Sequence, residues 1–353
     1  MTRETYGRAT LVRGDCRAVM AQLAAEGVRV DSVVTDPPYE LGFMGRAWDR
    51  SGVAFQPETW RLAYDLLPPG GHLLAFGGTR TYHRLAAAIE DAGFELRDAV
   101  AWIYGTGFPK VGYIRDAAGE PVRDGWAGSL KPALELVALA RKPLAGTVAA
   151  NVLEHGTGAL NIDACRVGSE ARPVMVRTQT VVAANCMSGT STGATASGEM
   201  TTAGRWPANV VHDGSPEVEE AFAAFGERAS GARSGPRAGT SGTGYGSIQL
   251  GGSCEASSGS ASRFFYCAKA SRAERMGSKH PTIKPAALAD WLVRMVTPEG
   301  GTVLDPFAGT ATIPAAAARA GFRAIGIESD PAHADDAARR LAAIGDLFAQ
   351  AAE

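Results

Sequence analysis

Short apolar runs, each followed by a stretch of helical length, recur at both ends of this chain and lapse in its middle. "ATLVRGD" (9–15) leads into "CRAVMAQLAAEG", "VDSVVT" (30–35) precedes "PETWRLAYDLLPPGG", and "HLLAFGG" (72–78) precedes "TRTYHRLAAAIEDAG". Gly27 and the Pro68-Pro69-Gly70 triplet mark helix ends, and Thr79 reads as a helix start. "FELRDAVAWIYG" and "LKPALELVALARKP" add two further strands. Near the other end "GTVLDPFAG", "TATIPAAAARAG", "FRAIGIE" and "DPAHADDAARRLAAIG" repeat the alternation. A parallel neighbour needs a crossover of about a dozen residues, usually a helix. The pattern therefore predicts an α/β fold with a Rossmann-like, doubly wound and mostly parallel sheet, to which both ends contribute.

The middle differs. The windows 186–205 ("CMSGTSTGATASGEMTTAGR") and 229–262 consist largely of Gly, Ser, Thr and Ala. So little apolar material cannot pack a core of its own. Such a segment is either a flexible linker or a mobile insertion that orders on a ligand. Arg166, Arg172, Arg205, Arg228, Arg233 and Arg237 are scattered through it, either for solubility or to meet phosphates and guanine edges. "RWPANVV" reads as a packed strand with Trp206 inside. The expected division is residues 1–145, an irregular insert over 146–265, and 266–353.

Composition narrows the setting. A chain of 353 residues, 45% hydrophobic and 20% charged, can bury a large core. No uninterrupted apolar run reaches the length of a membrane span, and the start lacks the apolar centre of a secretory signal. Cys16, Cys165, Cys186, Cys254 and Cys267 form no C-x-x-C pair, which fits reduced thiols and a cytoplasmic location and argues for no metal site. A net charge of −2 advertises no polyanionic partner, so any nucleic-acid surface must be local.

Two loops carry chemistry. In "VLDPFAGTATIPAAAARAGFRAIGIESD" (303–330) a strand, a small-residue turn, a helix and a second strand end on an acid. That arrangement holds a nucleoside-containing cofactor at the carboxyl edge of a parallel sheet. Gly309 permits close backbone approach, and Glu328 stands where a carboxylate accepts both ribose hydroxyls. The dinucleotide pattern G-x-G-x-x-G is missing, which speaks against NAD. The second loop is "DPPY" (36–39), directly after an apolar strand. Asp36 and the carbonyls beside Pro37 and Pro38 are all acceptors, because proline has no N–H, and Tyr39 adds a flat face. A planar ring bearing an exocyclic amine would satisfy these groups. Taken alone, the same four residues also describe a rigid turn with Tyr39 as packing.

Taken together, "DPPY" and "DPFAGTAT" (305–312) resemble the catalytic and cofactor motifs of DNA amino-methyltransferases. Those enzymes methylate the exocyclic nitrogen of adenine or cytosine with S-adenosylmethionine. "RGDC" (13–16) is similar to the family's acidic element before the catalytic loop, and "HPTIKP" (280–285) to the segment before the cofactor loop. The order of motifs matches the beta-type arrangement, as in phage and bacterial adenine-specific methylases, and the resemblance covers roughly residues 9–145 and 264–345. It implies a class I methyltransferase fold in which Asp36, Pro37, Pro38 and Tyr39 form the catalytic loop. It assigns cofactor binding to Asp15, Cys16, Thr282, Lys284, Asp305, Phe307, Ala308, Gly309, Thr310, Ala311, Thr312 and Glu328. Asp15 would contact the cofactor's adenine, Glu328 its ribose, and 307–312 its methionine end. Thr282 and Lys284 would line the methionine pocket, or else be solvated loop residues.

The resemblance further implies double-stranded DNA as partner, a flipped-out target base, and a target-recognition role for the insert. It is compatible with a homodimer and with a cognate restriction endonuclease, and fixes neither. Members acting on cytosine usually begin the catalytic motif with serine, so Asp36 points to N6 of adenine, with N4 of cytosine as the alternative. Ala311 stands where the family usually has glycine, which allows a second alternative, a DNA-binding homologue without catalysis. A methyltransferase for protein or small-molecule amides is the third, although those tend to have asparagine in place of Asp36.

Overall fold

The computed structural model describes residues 1–42, 47–105, 107, 109, 111–168, 172–181, 190–227, 259–268 and 284–350. The chain divides into two compact units. The first comprises Met1–Cys165, Ala208–Val218 and Tyr266–Glu353, and the second Arg166–Pro207 and Glu219–Phe265. Two pieces of the segment expected as an insert, 146–165 and 208–218, thus belong to the first unit.

The first unit is a ten-stranded sheet with helices on both faces. Its strands are β1 (Thr2–Tyr6), β2 (Ala9–Arg13), β3 (Ser32–Thr35), β4 (His72–Gly78), β5 (Glu95–Ile103) and β6 (Leu134–Arg141). After β7 (Arg172–Val181) and β8 (Thr190–Thr201) of the second unit come β9 (Val210–His212), β10 (Tyr266–Cys267), β11 (Thr302–Asp305) and β12 (Arg323–Glu328). The helices are α1 (Cys16–Ala25), α2 (Pro57–Leu66), α3 (Tyr82–Asp91), α4 (Val148–His155), α5 (Pro216–Ala223), α6 (Ala286–Val296), α7 (Thr312–Arg319) and α8 (Pro331–Gln350). Spatial order is β1-β2-β12-β11-β3-β4-β6-β5-β9-β10. From β2 to β4 every neighbour is parallel. Strand β6 runs antiparallel to both β4 and β5, because among the described residues no helix intervenes between β5 and β6 to carry a crossover.

The strands read as continuous apolar runs because both of their faces are buried. Val33, Leu73 and Leu304 join a core with Met20, Trp60 and Ile89 of α1–α3. Their neighbours Val34, Leu74 and Val303 join the opposite core with Leu292, Ile313 and Leu341 of α6–α8. Helix α3 starts later than expected: Thr81 is its N-cap, and Thr79 stays in the loop. Among the described residues, no helix is long and apolar enough to cross a membrane.

In the second unit β7 and β8 pair antiparallel, Arg172 opposite Thr201 and Val181 opposite Thr190. Strand β8 falls inside a window expected to lack structure; its threonines favour extended backbone, and the ladder needs no apolar content. Trp206 is 65% exposed, with the Arg166 guanidinium 5.8 Å from its ring, and is not packed as expected. Arg205 and Arg263 lie over the Phe264 ring. Arg228, Arg233 and Arg237 lie outside the described residues.

Candidate active site

The parallel block ends its strands in one row. The Gly14 N–H donates to the Glu328 carbonyl (2.9 Å), and Thr35 at the end of β3 donates its hydroxyl to Asp305 Oδ1 at the end of β11 (2.7 Å). Asp15, Glu328, Asp305, Asp36 and Gly78 thereby line one cavity of about 1290 Å³. That exceeds the usual small-ligand range of roughly 300–1,000 Å³ and leaves room for two reactants. Residues 36–39 and 305–312, distant in sequence, face each other across it because β3 and β11 are direct neighbours.

The loop that follows β3 is fixed from several sides. Glu40 has a φ of 55°, unusual for a residue with a Cβ. The buried Asp49 carboxylate accepts both the Glu40 and Leu41 N–H groups (2.8 and 3.1 Å), which offsets that strain. The Tyr39 carbonyl accepts from the Thr81 hydroxyl (2.8 Å), and the Tyr39 hydroxyl donates to Glu135 Oε2 (2.8 Å). The Tyr39 ring lies against Gly78, where a Cβ would come within 3.0 Å of it.

Asp36 lines the same cavity as this ring. Its Oδ2 accepts from Lys284 Nζ at 2.8 Å, and the same ammonium is 3.2 Å from Glu135 Oε2. Lys284 is only 5% exposed and sits near the faces of Tyr39 and Phe76. Asp36 Oδ1 is shielded from solvent and has no hydrogen-bond partner among the described residues. Burial pushes the Asp36 carboxyl above its usual range while Lys284 pulls it down. Burial opposes the charge on Lys284 too, but Asp36 and Glu135 outweigh it and hold the ammonium protonated. Burial, with Asp36 and Glu135 adding to it, keeps the Tyr39 phenol neutral.

Between β11 and α7 the chain makes a tight turn. Gly309 (φ 54°) and Ala311 (φ 60°) are both left-handed. Alanine there carries strain on the order of 1 kcal/mol, and its methyl is fully buried. The Gly309 N–H donates to Glu328 Oε2 and the Asp330 N–H to Oε1, each at 2.7 Å. A carboxylate has about four acceptor sites, so Glu328 can still take two hydroxyl donors. Asp15 caps α1, accepting from the Arg17 and Ala18 N–H groups at 3.1 Å. Cys16 is buried behind it, and burial pushes its thiol up to about 12. Phe307 borders the cavity near Trp60, their ring centroids 6.2 Å apart. Ala308, Thr310 and Thr312 also line the cavity.

Asp305 is buried under this turn, accepting from Thr35 and from the Phe307 N–H (3.2 Å). Burial pushes its carboxyl up to about 7 even so. An unfolded aspartate titrates near ~3.9, so the folded state holds this proton more tightly. Stability from Asp305 is therefore fully present below about pH 4 and is lost as pH rises to about 7, by a few kcal/mol in all. Asp305→Asn, which keeps the acceptor oxygen, is expected to flatten that dependence and to melt several degrees higher than the native chain at about pH 8. Parallel slopes of melting temperature against pH in the two proteins would contradict this.

Of the residues expected to form the site, Asp15, Cys16, Asp36, Pro37, Pro38, Tyr39, Lys284, Asp305, Phe307, Ala308, Gly309, Thr310, Thr312 and Glu328 line this one cavity, whereas Ala311 is buried behind the turn and does not. Thr282 lies outside the described residues. Lys284 reaches the Asp36 carboxylate and is no solvated loop residue. The sequence reading missed Glu135 and Tyr104, which line the same cavity, although a lone acid opening the apolar run of β6 was a usable signal.

A DNA methylase family model of the N6/N4 type matches residues 30–339. The chain is similar to the type II methyltransferase M2.DpnII of Streptococcus pneumoniae, 39% identical over 72 residues, 20% of this chain and 27% of that protein. It is similar to the type II methyltransferase M2.LlaDCHI of Lactococcus lactis subsp. cremoris, 36% identical over 70 residues, 20% of this chain and 26% of that one. The matched segments thus span about a quarter of these relatives' lengths. Among solved structures it is similar to the cytosine-N4-specific PvuII DNA methyltransferase (TM-score 0.49, 16% identity, 98% of this chain and 93% of that one). It is also similar to M1.HpyAVI in complex with SAM (TM-score 0.46, 15% identity, 94% and 98%).

Proposed function

The chain belongs to the N6/N4 DNA methylase family, and on that footing we propose that it transfers a methyl group from S-adenosylmethionine to the exocyclic N6 of adenine in double-stranded DNA. The observation that carries the proposal is Asp36 Oδ1, a buried acceptor with no partner among the described residues, on a residue that lines a cavity large enough for cofactor and base. A buried acceptor left unmet costs about 1–3 kcal/mol, so a ligand donor there is favoured. An exocyclic amine is such a donor. Aspartate at this position, where cytosine-methylating members usually have serine, supports adenine.

The residues present fit S-adenosylmethionine. Glu328 would hold the ribose hydroxyls, Asp15 the adenine amine, and the 307–312 turn the methionine end, with Gly309 permitting close approach. The bound cofactor would supply an electrophilic sulfonium methyl, to which the amine lone pair would bond as the C–S bond released its electrons to sulfur and the amine proton left to water.

The protein's contribution is positional and electrostatic. Adenine inside a duplex has its amine paired, so the base must be extruded, at a cost of a few kcal/mol offset by stacking on Tyr39. The amine lone pair is delocalised into the ring, and hydrogen bonds from its N–H groups to Asp36 Oδ1 and the Pro37 carbonyl draw it out of that plane. The Asp36 charge then stabilises the cation as it forms, and holding both reactants in one cavity removes much of the entropic barrier. The second unit, with Arg166 and Arg205 beside Trp206 and Phe264, would read the DNA sequence.

The test is incubation of unmethylated genomic DNA with the protein and methyl-labelled S-adenosylmethionine, followed by digestion to nucleosides. Label in N6-methyladenine is the expected result. Label in N4-methylcytosine would replace adenine as the target, and unlabelled DNA would overturn the proposal.

A further inference from the structure

Lys284 and Glu135 have no part in the proposed transfer, yet Lys284 contacts Asp36 and Glu135 contacts Lys284. Three charged groups meet there from separate elements: Asp36 from the end of β3, Glu135 from the start of β6, and Lys284 from the segment before α6. Glu135 Oε2 receives both the Lys284 ammonium and the Tyr39 hydroxyl. One side chain therefore fixes the cation and the stacking ring together. Lys284 in turn occupies Asp36 Oδ2, and Oδ1 has no partner among the described residues. The remaining titratable groups facing Asp36 are Tyr39, held neutral, and Asp305 at the end of β11; Tyr104 faces Glu135, and burial beside that carboxylate pushes its phenol up to about 12.

A lone buried carboxylate would take up a proton and lose its use as an acceptor, and a bare Asp–Lys pair would be neutral. With Glu135 the cluster of two carboxylates and one ammonium carries a single net negative charge. We propose that Lys284 and Glu135 are positioning residues of this site: Lys284 holds Asp36 as a carboxylate with Oδ1 directed at the amine, and Glu135 supplies the net charge that meets the cation formed there. This rests on the methyltransferase reading for its chemistry, but the charge coupling can be observed without it. Methyl transfer moves a positive charge from sulfur onto nitrogen, toward this cluster, so charge placed here favours the transition state over the ground state.

The experiment follows the Asp36 carboxyl by carbon-13 NMR against pH in the cofactor-free protein, the resonance identified by its loss in Asp36→Asn. Glu135→Gln removes a negative neighbour while its amide oxygen still accepts from Tyr39, and is expected to lower the Asp36 midpoint by about one pH unit or more. Lys284→Met is expected to raise it by a similar amount, and Lys284→Arg to leave it near the native value. Single-turnover methylation of unmethylated genomic DNA should show the same opposite displacements in its acid limb, with Glu135→Gln slower by on the order of tenfold. Midpoints that stay in place, or move in the same direction in both variants, would overturn the inference. Glu135→Gln decides it alone should Lys284→Met fail to fold. Opposite midpoint shifts without any methylation by the native protein would uphold the coupling and overturn the methyltransferase reading instead.

Discussion

Asp36→Ala is expected to fold and bind S-adenosylmethionine as the native chain does, and to transfer the methyl group about 10³-fold more slowly. The size follows from what is removed. The variant loses the one charged acceptor aimed at the amine, and with it the stabilisation of the forming cation. Removing a single preorganised group of this kind costs about 10²–10³ in other enzymes, and the loss of a full charge belongs at the upper end. The fold should survive because Asp36 emerges at the end of β3 and Lys284 still has Glu135 as partner. Truncation even removes a shielded oxygen that no described residue satisfies. Cofactor titration and single-turnover kinetics together make the check. A rate within about tenfold of native, with cofactor bound, would take Asp36 out of the chemistry.

Lys284→Met should be the most destabilising single change in the site, lowering the unfolding free energy by about 3–5 kcal/mol near neutral pH. The ammonium is buried against two carboxylates, and among the described residues neither pairs with another cation that could take its place. Methionine fills much the same volume, so the loss measures charge rather than packing. For a domain of this size it corresponds to a melting temperature lower by roughly 6–20 °C. The sign of its pH dependence follows from the remaining acids. Without Lys284 the folded-state titration of Asp36 moves up, so stability is regained as pH falls and its carboxyl neutralises. The deficit should therefore shrink from about pH 8 to about pH 5. A pH-independent deficit below about 1 kcal/mol would show that the lysine is not held by these acids.

The strands and helices of the parallel block were legible because each apolar run is buried on both faces and each helix has its own boundary residues. Val33-Val34 and Leu73-Leu74 pair adjacent apolar residues that serve opposite cores, which only a doubly covered sheet requires. The cavity was legible as two motifs at strand ends. Its supporting residues were not, because Glu135 reaches Tyr39 only after β6 reverses direction between β4 and β5. That reversal depends on the lack of a crossover helix, not on any local motif. Helix α6 was missed beside the more conspicuous "HPTIKP", although "PAALADWLVRMV" starts on a proline and repeats at helical spacing. Strand β8 was missed for another reason: small and hydroxyl-bearing residues read as unstructured until a partner strand supplies the ladder. Ala311 stands where the family usually has glycine, and its left-handed φ of 60° is the conformation that glycine adopts without strain.

The hydrogen bond from Thr35 to Asp305 joins residues 270 apart. While the protein is being synthesised, β3 can find β4 early but must wait for β11, which arrives almost at the end. A nascent chain paused before that point exposes one side of β3 as an open edge, able to recruit a stray strand. Closing so long a loop is slow. Assembly of the pocket should thus trail the folding of the first helices, and chains released early should aggregate rather than work at half strength.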